Sequence, residues 1–574
     1  MVKGNLYEAK ELNNVKELIY NAVEKYAKNT VFTIKRQENK NVSYEDITYE
    51  KMLDDMNGFG TSLYELGLKG KRIAVVGRNK YEWVVAHFAN LLGGIISVPL
   101  DKDLQVGELE NLLVRSKAEA IVFDEKYIEN IEQIKSNGNT KISEYITMGD
   151  IDGYKNVKQL ISQGKKLIEA GNKDYINAEI DNTAMNILLF TSGTTSQSKA
   201  VMLSHRNIAS NVYAMQLVEK FYPNDVNIAF LPFHHIFGLT CMVVMLSNGV
   251  KTVFPDGLRY ISKNLNEYHV SVFVGVPVLI EAMYKNIEKE IEKTGKTKLI
   301  KVMKSLCKFL LKFKIDIRRK VFKIIIDKMG GKMRFVISGG APLDAKVAQG
   351  FNDFGIDLVQ GYGLTETSPV ICAEDLKRRR AGSIGIPMSN VELEIVDKDE
   401  NGVGEIRVKG PNVMLGYYEN EEATKEVLKD GWFYTGDLAY QDKDGYIFLS
   451  GRQKNMIVLK NGKKVFPEEL EVLVARIDGV KECIVFGKPD KQDKNDILLS
   501  VKVVYDEEVR NAKYAELSDE EFSKHIWEQI KEMNKTLPRY KYIKNMILTK
   551  EELIKTTTKK VKRQEEIKKI LEEE

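Results

Sequence analysis

A loop rich in glycine and hydroxyl side chains lies between two apolar stretches in the sequence LLFTSGTTSQSKAVMLSH, residues 188–205. Backbone N–H groups, hydroxyls and one lysine at this density are suited to hold a phosphate. A nucleotide P-loop would need a second glycine before the lysine and a hydroxyl after it, but Ser198 and Ala200 occupy those positions. Taken alone, the loop is therefore either a phosphate site of another kind or an ordinary turn.

Further motifs follow this loop in a fixed order. They are SGGAPL at 338–343, QGYGLTETSP at 360–369, GWFYTGDLAYQDKDGYIFLSGRQKN at 431–455 and IKTTTKKVKR at 554–563. Each motif alone is only suggestive, but their joint occurrence in this order is not expected by chance. The set closely resembles the adenylate-forming ligases, the superfamily of acyl-CoA synthetases, peptide-synthetase adenylation domains and firefly luciferase. The resemblance covers nearly the whole chain, from the N-terminal helix to Arg563.

In this superfamily a carboxylate attacks the α-phosphate of ATP and pyrophosphate leaves, so catalysis must neutralise negative charge. The resemblance implies that Lys199 adds positive charge there. Glu366 matches the family's Mg2+ ligand and Thr191 a second contact to that ion, as hard oxygen ligands should; the alternative for Glu366 is a helix-capping acid. The loop residues expected at the β- and γ-phosphates are Thr191, Ser192, Gly193, Thr194 and Thr195. The departures from the family's loop are Ser196, Ser198 and Ala200, in place of Gly, Pro and Gly.

The resemblance also assigns a nucleoside site. Tyr362 matches the aromatic residue that stacks on adenine, with a core tyrosine as the alternative. Asp437 would accept hydrogen bonds from both ribose hydroxyls, because a carboxylate is an acceptor only, and Arg452 would reach the same sugar. The alternative for Asp437 is a turn residue. The remaining nucleotide positions are Gly340, Ala341 and Pro342, which line the base from its other side, and Gln360, Gly361, Gly363 and Thr365.

Two further groups are expected at the reacting carboxylate. His235, in LPFHHIFG, matches the family's histidine near the substrate carboxylate, while His234 takes the place of a neighbouring aromatic; the alternative is a core histidine. Lys560 matches the lysine that bridges carboxylate and α-phosphate. In that motif Ile554 replaces a proline and Lys559 replaces a glycine, which removes an easy positive-φ position. Two adjacent lysines are thus candidates, and a merely basic tail is the alternative.

The order of predicted strands and helices along the sequence predicts an α/β fold with two domains. To about Gly385, strands alternate with helices, which predicts parallel sheet covered on both faces. Short alternating strands follow and predict a small antiparallel region, and the chain ends in a small α+β unit. We expect an N-terminal adenylate-forming domain at 1–450, a hinge at 451–455 and a mobile C-terminal lid domain at 456–574. Lys454 matches the hinge about which family members rotate between two half-reactions.

The composition excludes several classes of protein. The 574 residues carry 86 Lys and Arg against 82 Asp and Glu, a balance that does not imply nucleic acid as a partner. The four cysteines lie far apart without a CxxC pair, which predicts a reduced cytosolic protein with neither a disulfide framework nor a zinc site. No signal peptide is recognisable, and the most apolar windows are shorter than the ~18 residues of a spanning helix. We expect the charged tail from Gln564 to fray.

Basic residues dominate the segment 298–328, where only Asp316 and Asp327 oppose them. Apolar residues recur there every three or four positions, which predicts a basic amphipathic helix or helix pair. They are Leu299, Met303, Leu306, Leu310, Phe313 and Ile317. One interpretation is a solvated helix packed on the core, and the other is a peripheral docking face for anionic membrane.

SVPLDKDL, LPFHHIFG and the insertion at about 285–331 resemble bacterial long-chain acyl-CoA synthetases. The resemblance implies activation of a long-chain fatty acid with ATP and Mg2+, followed by transfer to coenzyme A. Acyl-carrier protein as the acceptor, or another carboxylic acid as the substrate, are alternatives. A non-catalytic acyl-adenylate binder would not need Lys560, and a P-loop ATPase is opposed by Ser198 and Ala200.

Overall fold

A computed structural model describes residues 5–38, 41–191, 198–460, 462–490, 497–555 and 561–573. The elements of the first part of the chain are α1 (Val15–Tyr26), β1 (Thr30–Glu38), β2 (Asn41–Thr48), α2 (Tyr49–Glu65), β3 (Arg72–Val76), α3 (Tyr81–Leu92), β4 (Ile96–Leu100), α4 (Val106–Ser116), β5 (Ala120–Phe123), α5 (Ile128–Asn137), β6 (Glu144–Thr147), β7 (Lys155–Asn156), α6 (Val157–Glu169), β8 (Met185–Phe190), β9 (Ala200–Ser204) and α7 (His205–Val218).

The middle of the chain continues the alternation of strands and helices. Its elements are β10 (Val226–Ile228), α8 (Ile236–Ser247), β11 (Lys251–Val253), α9 (Ile261–Glu267), β12 (Val272–Gly275), α10 (Pro277–Lys293), α11 (Thr297–Leu311), α12 (Arg318–Val321), α13 (Lys323–Asp327), β13 (Phe335–Ser338), α14 (Ala345–Asp353), β14 (Asp357–Gly363), β15 (Val370–Ala373) and β16 (Ile386–Pro387).

Short strands dominate the region that follows, and helices return near the end of the chain. The elements are β17 (Glu392–Val396), β18 (Gly404–Lys409), β19 (Gly416–Tyr417), α15 (Glu421–Val427), β20 (Leu428–Lys429), β21 (Trp432–Gln441), β22 (Ile447–Arg452), β23 (Ile457–Val458), β24 (Lys464–Val465), α16 (Pro467–Val474), β25 (Val480–Pro489), β26 (Ile497–Tyr505), α17 (Glu507–Lys513), α18 (Asp519–Asn534), β27 (Asn545–Thr549) and α19 (Arg563–Glu573).

Two large sheets form the first two-thirds of the fold. One has eight strands in the order β19-β9-β8-β4-β3-β5-β6-β7, and the other has nine in the order β16-β15-β14-β13-β12-β10-β11-β1-β2. The central strands pair in parallel and are buried along their length, as expected for β-branched runs such as IAVV and AIVF. The parallel sheets that the sequence predicts are thereby confirmed.

Helix α8 lies in the hydrophobic core that the two sheets share. It is apolar on all sides and buried along nearly its whole length, which is the pattern of a helix without a solvent face. Gly238 lets this helix start close to the preceding backbone, since a Cβ there would lie 2.4 Å from the carbonyl oxygen of Pro232. The buried helix thus fixes the position of the two histidines that precede it.

The rest of the chain forms smaller units. Strands β17, β18, β20, β21 and β22 make a five-stranded antiparallel sheet, and β25, β26 and β27 make a three-stranded sheet packed with α16 and α18. The antiparallel region and the α+β end of the chain are therefore as predicted. Within the described ranges, no helix combines the length and the apolar character that crossing a membrane requires.

The C-terminal tail differs from the sequence expectation. Rather than fraying, it forms helix α19, on which Glu566 and Ile570 are buried. The ammonium of Lys502 lies 2.6 Å from the Glu566 carboxylate, and both side chains are buried. This mostly charged helix stays packed on the protein because its buried acid, Glu566, forms an ion pair with the buried Lys502. The composition of the tail alone does not show that pairing.

Close packing of α2 on α6 depends on a glycine, and we predict that Gly164→Ala lowers the midpoint of thermal unfolding. A Cβ at Gly164 would lie 1.7 Å from the carbonyl oxygen of Gly58, so the helices must separate, at a cost of about 1–3 kcal/mol or more. Gly107→Ala is the control, because Gly107 is an exposed helical position with no atom within 4 Å of the added Cβ. That change should stabilise by up to about 1 kcal/mol. Equal unfolding midpoints for the two variants would contradict the packing argument.

Candidate active site

The glycine-rich loop joins two antiparallel strands of the eight-stranded sheet. Phe190 at the end of β8 pairs with Ala200 at the start of β9, and the N–H of Thr191 donates to the carbonyl of Lys199 at 2.9 Å. The expected phosphate contacts Thr191 and Lys199 thus face each other at the base of the loop. Ser192, Gly193, Thr194 and Thr195 lie outside the described residues, as does Ser196.

Ser198, where the family's loop has proline, is held by a side chain from α4. Arg115 donates to the Ser198 hydroxyl at 3.1 Å and to its carbonyl at 2.6 Å. The same guanidinium lies 5.3 Å from the ring centroid of Phe190, the last residue of β8. Arg115 therefore fixes the exit of the loop, and the sequence carried no signal for this contact because α4 is far away along the chain.

Tyr417 connects Glu366 to Lys199 and was not found from the sequence. Its hydroxyl donates to Glu366 Oε1 at 2.9 Å, and the Lys199 ammonium lies 4.5 Å from the centroid of its ring. Tyr417 reaches this place because β19 pairs antiparallel with β9. The backbone of Glu366 is fixed as well, since its carbonyl accepts the N–H of Met414 at 2.8 Å. The signal in the sequence was the glycine–tyrosine pair at 416–417, within MLGYYEN.

A second cluster lies where the nine-stranded sheet meets the antiparallel sheet. Tyr362 donates its hydroxyl proton to Asp437 Oδ2 at 2.6 Å, and Arg452 Nε lies 2.9 Å from Asp437 Oδ1. Asp437 and Arg452 are direct partners in the β21–β22 register. Burial raises the pKa of Asp437, and the Arg452 guanidinium opposes that rise; in turn Asp437 raises the pKa of Arg452. The cluster is thus a buried carboxylate in a hydrogen-bonded ion pair with a partly exposed guanidinium.

Tyr362 is only 8% exposed, and burial raises the pKa of its phenol. Its hydroxyl has a fixed partner in Asp437, so its orientation is set before any ligand binds. Each oxygen of a carboxylate has more than one lone pair, so Asp437 retains acceptor capacity beside Tyr362 and Arg452. The expected ribose contact is chemically compatible with this geometry.

The other nucleotide positions lie at the carboxyl ends of β13 and β14, where ligands of parallel sheets are usually bound. The exposed residues 340–342 follow β13 directly, and Gly340 has a φ of +85°. The side chain of Gln360 on β14 accepts the N–H of Leu343 at 3.4 Å and so ties the two segments together. Gly363 permits a tight turn after β14, since a Cβ there would lie 1.8 Å from the Pro369 carbonyl oxygen. The pair Gly361 and Thr365 lies on the same stretch.

Charged residues of both clusters surround the ammonium of Lys454, so the two clusters are neighbours. The pKa of Lys454 is lowered by burial, and then by the charges of Arg452 and Lys199, while Asp437 and Glu366 oppose the shift. The structure thus brings together residues that are up to 255 positions apart in sequence, from Lys199 to Lys454. Lys560, the expected adenylation lysine, lies outside the described residues, as does Lys559.

The two histidines lie at the start of the buried helix α8. His235 is the residue before the first turn, and its ring lies 4.6 Å from that of His234, centroid to centroid. His234 Nε2 lies 3.5 Å from Asp101 Oδ2, and both side chains are largely buried. Beyond them is a small apolar cavity of about 20 Å³, lined by residues of β10, α8 and β12. His234, which the family alignment disfavoured, is therefore the histidine whose ring lies near Asp101, from the SVPLDKDL segment.

Among the described residues, no group of three or more His, Cys, Asp or Glu side chains is arranged to hold a metal ion. Mg2+ is usually bound by one or two protein oxygens while waters and substrate phosphates complete its shell. Glu366, with one carboxylate oxygen fixed by Tyr417, and the Thr191 hydroxyl provide a donor set of that kind. These residues fit a Mg2+ ion that shares its ligands with a nucleotide.

The fold joins a large unit with the glycine-rich loop to a small C-terminal unit, and both parts match one class of enzyme. The model of the AMP-binding enzyme family matches residues 20–418, and that of the AMP-binding enzyme C-terminal domain matches residues 454–573. The chain belongs to the AMP-binding enzyme family and is an adenylate-forming ligase.

Its relatives include ligases with two different acceptors. The chain is 30% identical over 485 residues to a long-chain-fatty-acid–CoA ligase of Yersinia pestis, covering 78% of this chain and 79% of that one. It is 29% identical over 514 residues to a chloroplastic long-chain-fatty-acid–[acyl-carrier-protein] ligase of Arabidopsis thaliana, covering 77% and 71%. An anthranilate CoA ligase in complex with anthranoyl-AMP has the same fold, with a TM-score of 0.77 at 20% identity over 98% of both chains.

We predict that Tyr417→Phe slows acyl-adenylate formation roughly tenfold and raises the Mg2+ concentration that gives half-maximal rate. The change removes the hydrogen bond to the Glu366 carboxylate, worth about 1.5–3 kcal/mol, but keeps the ring beside Lys199. ATP–pyrophosphate exchange measured against Mg2+ concentration checks both effects. Tyr418→Phe is the matched control, because the ring of Tyr418 contacts Arg72 and Lys117. Equal Mg2+ dependence in both variants would refute the role of Tyr417.

Proposed function

We propose that the protein converts a long-chain fatty acid to its acyl-adenylate with ATP and then transfers the acyl group to coenzyme A. In the first step a carboxylate oxygen bonds to the α-phosphorus and pyrophosphate leaves. In the second the thiolate sulfur bonds to the acyl carbon and AMP leaves. The observation that carries the proposal is the convergence of Lys199, the Glu366–Tyr417 pair and the Asp437–Arg452 pair in one site.

The positive charges of this site would reduce the repulsion between the fatty-acid carboxylate and the phosphates of ATP. Lys199 would offset the charge of the leaving pyrophosphate, and Glu366 and Thr191 would hold a Mg2+ ion that supplies further positive charge there. Asp437 would accept the ribose hydroxyls, while Arg452 keeps that buried carboxylate compensated. We assign His235 to the fatty-acid carboxylate, with His234 and Asp101 behind it. Lys560 would bridge the carboxylate and the α-phosphate.

The proposed substrate and acceptor rest on the relatives. The Yersinia pestis ligase is named for long-chain fatty acids and CoA, and the Arabidopsis ligase for long-chain fatty acids and acyl-carrier protein. Coenzyme A is the acceptor we favour, because several further relatives are named long-chain-fatty-acid–CoA ligases. Acyl-carrier protein is the second candidate, and the Arabidopsis relative is the observation that favours it.

We also propose that the chain divides into a catalytic domain at 1–450, a hinge at 451–455 and a lid domain at 456–574. Two separate family matches, at 20–418 and 454–573, support a division of the chain near residue 450. Lys454, the hinge residue of this proposal, lies next to the charged pair of the site, so rotation at this position would change the surroundings of its ammonium.

The substrate would also decide where the enzyme works. Long-chain fatty acids partition into lipid bilayers, so a cytosolic enzyme would collect them at a membrane surface. This gives the basic segment 298–328 a functional reason for peripheral contact with anionic membrane.

Product release across carboxylic acids of graded chain length tests the function. We expect release of AMP and pyrophosphate to be greatest with long-chain acids, and thioester to accumulate only when coenzyme A is added. A parallel series with acyl-carrier protein decides between the two acceptors. Release of inorganic phosphate instead of pyrophosphate would contradict adenylation, and a preference for short or aromatic acids would contradict the proposed substrate.

We predict that Lys560→Ala abolishes acyl-adenylate formation but largely spares thioester formation from supplied acyl-adenylate, because only the first step needs a cation between carboxylate and α-phosphate. Removing such a charge typically costs a hundredfold or more, roughly, in rate. ATP–pyrophosphate exchange and thiol consumption measure the two steps separately. Lys559→Ala is the neighbouring control and should keep both. An inactive Lys559→Ala beside a fully active Lys560→Ala would move the assignment by one residue.

A further inference from the structure

Helix α11 and the turn after it carry a row of large apolar side chains that project into solvent. These residues are three and four positions apart in alternation, which places them on one side of a helix. With their exposed fractions they are Leu299 (55%), Val302 (64%), Leu306 (44%), Phe309 (56%) and Phe313 (62%). The rings of Phe309 and Phe313 contact each other at 5.2 Å between centroids. We call these five residues the outer stripe.

The outer stripe is not the side by which α11 packs on the protein. That side consists of Ile300, Met303 and Cys307, which join the core cluster of α10, α13 and α14, and Cys307 is only 2% exposed. The helix therefore has two apolar sides next to each other, and the core uses one. Large solvent-exposed apolar patches of this kind usually mark an interaction surface.

Lysines line the edge of the outer stripe. At 100° per residue, Lys298, Lys301, Lys308 and Lys312 lie along one exposed side of α11 that adjoins the stripe. Lys308 is at the edge of this side and also borders the cavity on the inner side of the helix. None of the four forms an ion pair with another described residue, whereas Lys304, on the inner side, lies 3.7 Å from Asp353. We call the four the lysine row. An apolar stripe beside a row of uncompensated lysines is the pattern of helices that lie in a membrane interface.

We infer that the outer stripe and the lysine row dock on an anionic lipid surface, with the apolar side chains at the depth of the headgroups and the lysines against lipid phosphates. A second copy of the chain fits less well, because a two-fold contact places a patch against its identical self. In such a dimer the lysine row of one copy would lie against the lysine row of the other. Asp316 and Asp327, the only acids of segment 298–328, are too few to offset that repulsion. Charge complementarity therefore selects the anionic lipid surface.

The inner side of the same helix borders a cavity of about 320 Å³. Lys304, Cys307 and Leu311 of α11 form part of its wall, and Gln360 of the candidate nucleotide strand forms another part. Docking would thus place the bilayer on one side of α11 and this cavity on the other. The advantage of bringing the enzyme to a membrane-dissolved fatty acid rests on the proposed function. The docking itself does not require any catalytic activity.

Co-sedimentation of the full chain with vesicles, without ATP or fatty acid, tests the inference. We expect binding to vesicles that contain phosphatidylglycerol and much weaker binding to pure phosphatidylcholine. The variant K298Q/K301Q/K308Q/K312Q should weaken binding to the anionic vesicles by at least about a hundredfold, since each lysine near a charged surface contributes about fivefold. The variant V302S/F309S should also lose binding, at least about tenfold.

Matched changes elsewhere serve as controls. K126Q/K158Q/K166Q/K173Q removes four exposed lysines, and V42S/V114S removes two exposed valines, from surfaces outside the segment. Both should bind the vesicles as the unchanged chain does, and thermal unfolding verifies that every variant is folded. Equal losses in controls and stripe variants, or equal binding to neutral and anionic vesicles, would overturn the inference. So would a dimer in sedimentation velocity that only V302S/F309S dissociates. Because binding is measured without substrates, an inactive enzyme that still binds vesicles refutes the proposed function alone.

Discussion

The ion pair between the buried Asp437 and the partly exposed Arg452 is the contact on which the candidate site depends. It is flanked by Tyr362, so it joins the nine-stranded sheet to the antiparallel sheet, and its arginine stands at the end of the strand that leads to the C-terminal unit. A carboxylate in such a place needs a cation and a hydrogen-bond donor, because burial otherwise favours its neutral form. With both present, Asp437 can stay charged and aimed before a nucleotide arrives.

Opposite charges are also placed near each other around Glu366 and Lys199, where the phosphates are expected to bind. Glu366 is fixed by the Tyr417 hydroxyl and Lys199 lies over the Tyr417 ring, so one tyrosine spaces an anion from a cation. Without a substrate the two charges remain separate and available. A direct Lys199–Glu366 ion pair would have to be broken before either group could act on a phosphate or a metal ion, and the ring between them avoids that cost.

The sequence was sufficient for the fold, and it named Lys199, Glu366 and Asp437, which the structure brings together, for a physical reason. Parallel buried strands are apolar runs, and short motifs at their ends carry the chemistry, so both are local in sequence. The contacts that sequence reasoning missed are not local. Tyr417 reaches Glu366 only through a strand pairing with β9, and Arg115 reaches Ser198 only through the packing of α4. The spacing of apolar residues correctly predicted an amphipathic α11, but it could not separate the two apolar sides of the helix. Leu299, Leu306 and Phe313 are exposed, whereas Met303 packs on the core.

Arg115 gives one departure in the glycine-rich loop, Ser198, a structural explanation. Where the family's loop has a proline, whose ring fixes the backbone by itself, this chain has Ser198, whose hydroxyl and carbonyl both accept from one guanidinium. The restraint is then a side-chain contact, not a covalent ring. A loop anchored through hydrogen bonds can be released when that arginine moves, whereas proline is permanent. In this chain, the base of the loop is therefore coupled to α4, and α4 packs on the eight-stranded sheet that carries Thr191 and Lys199.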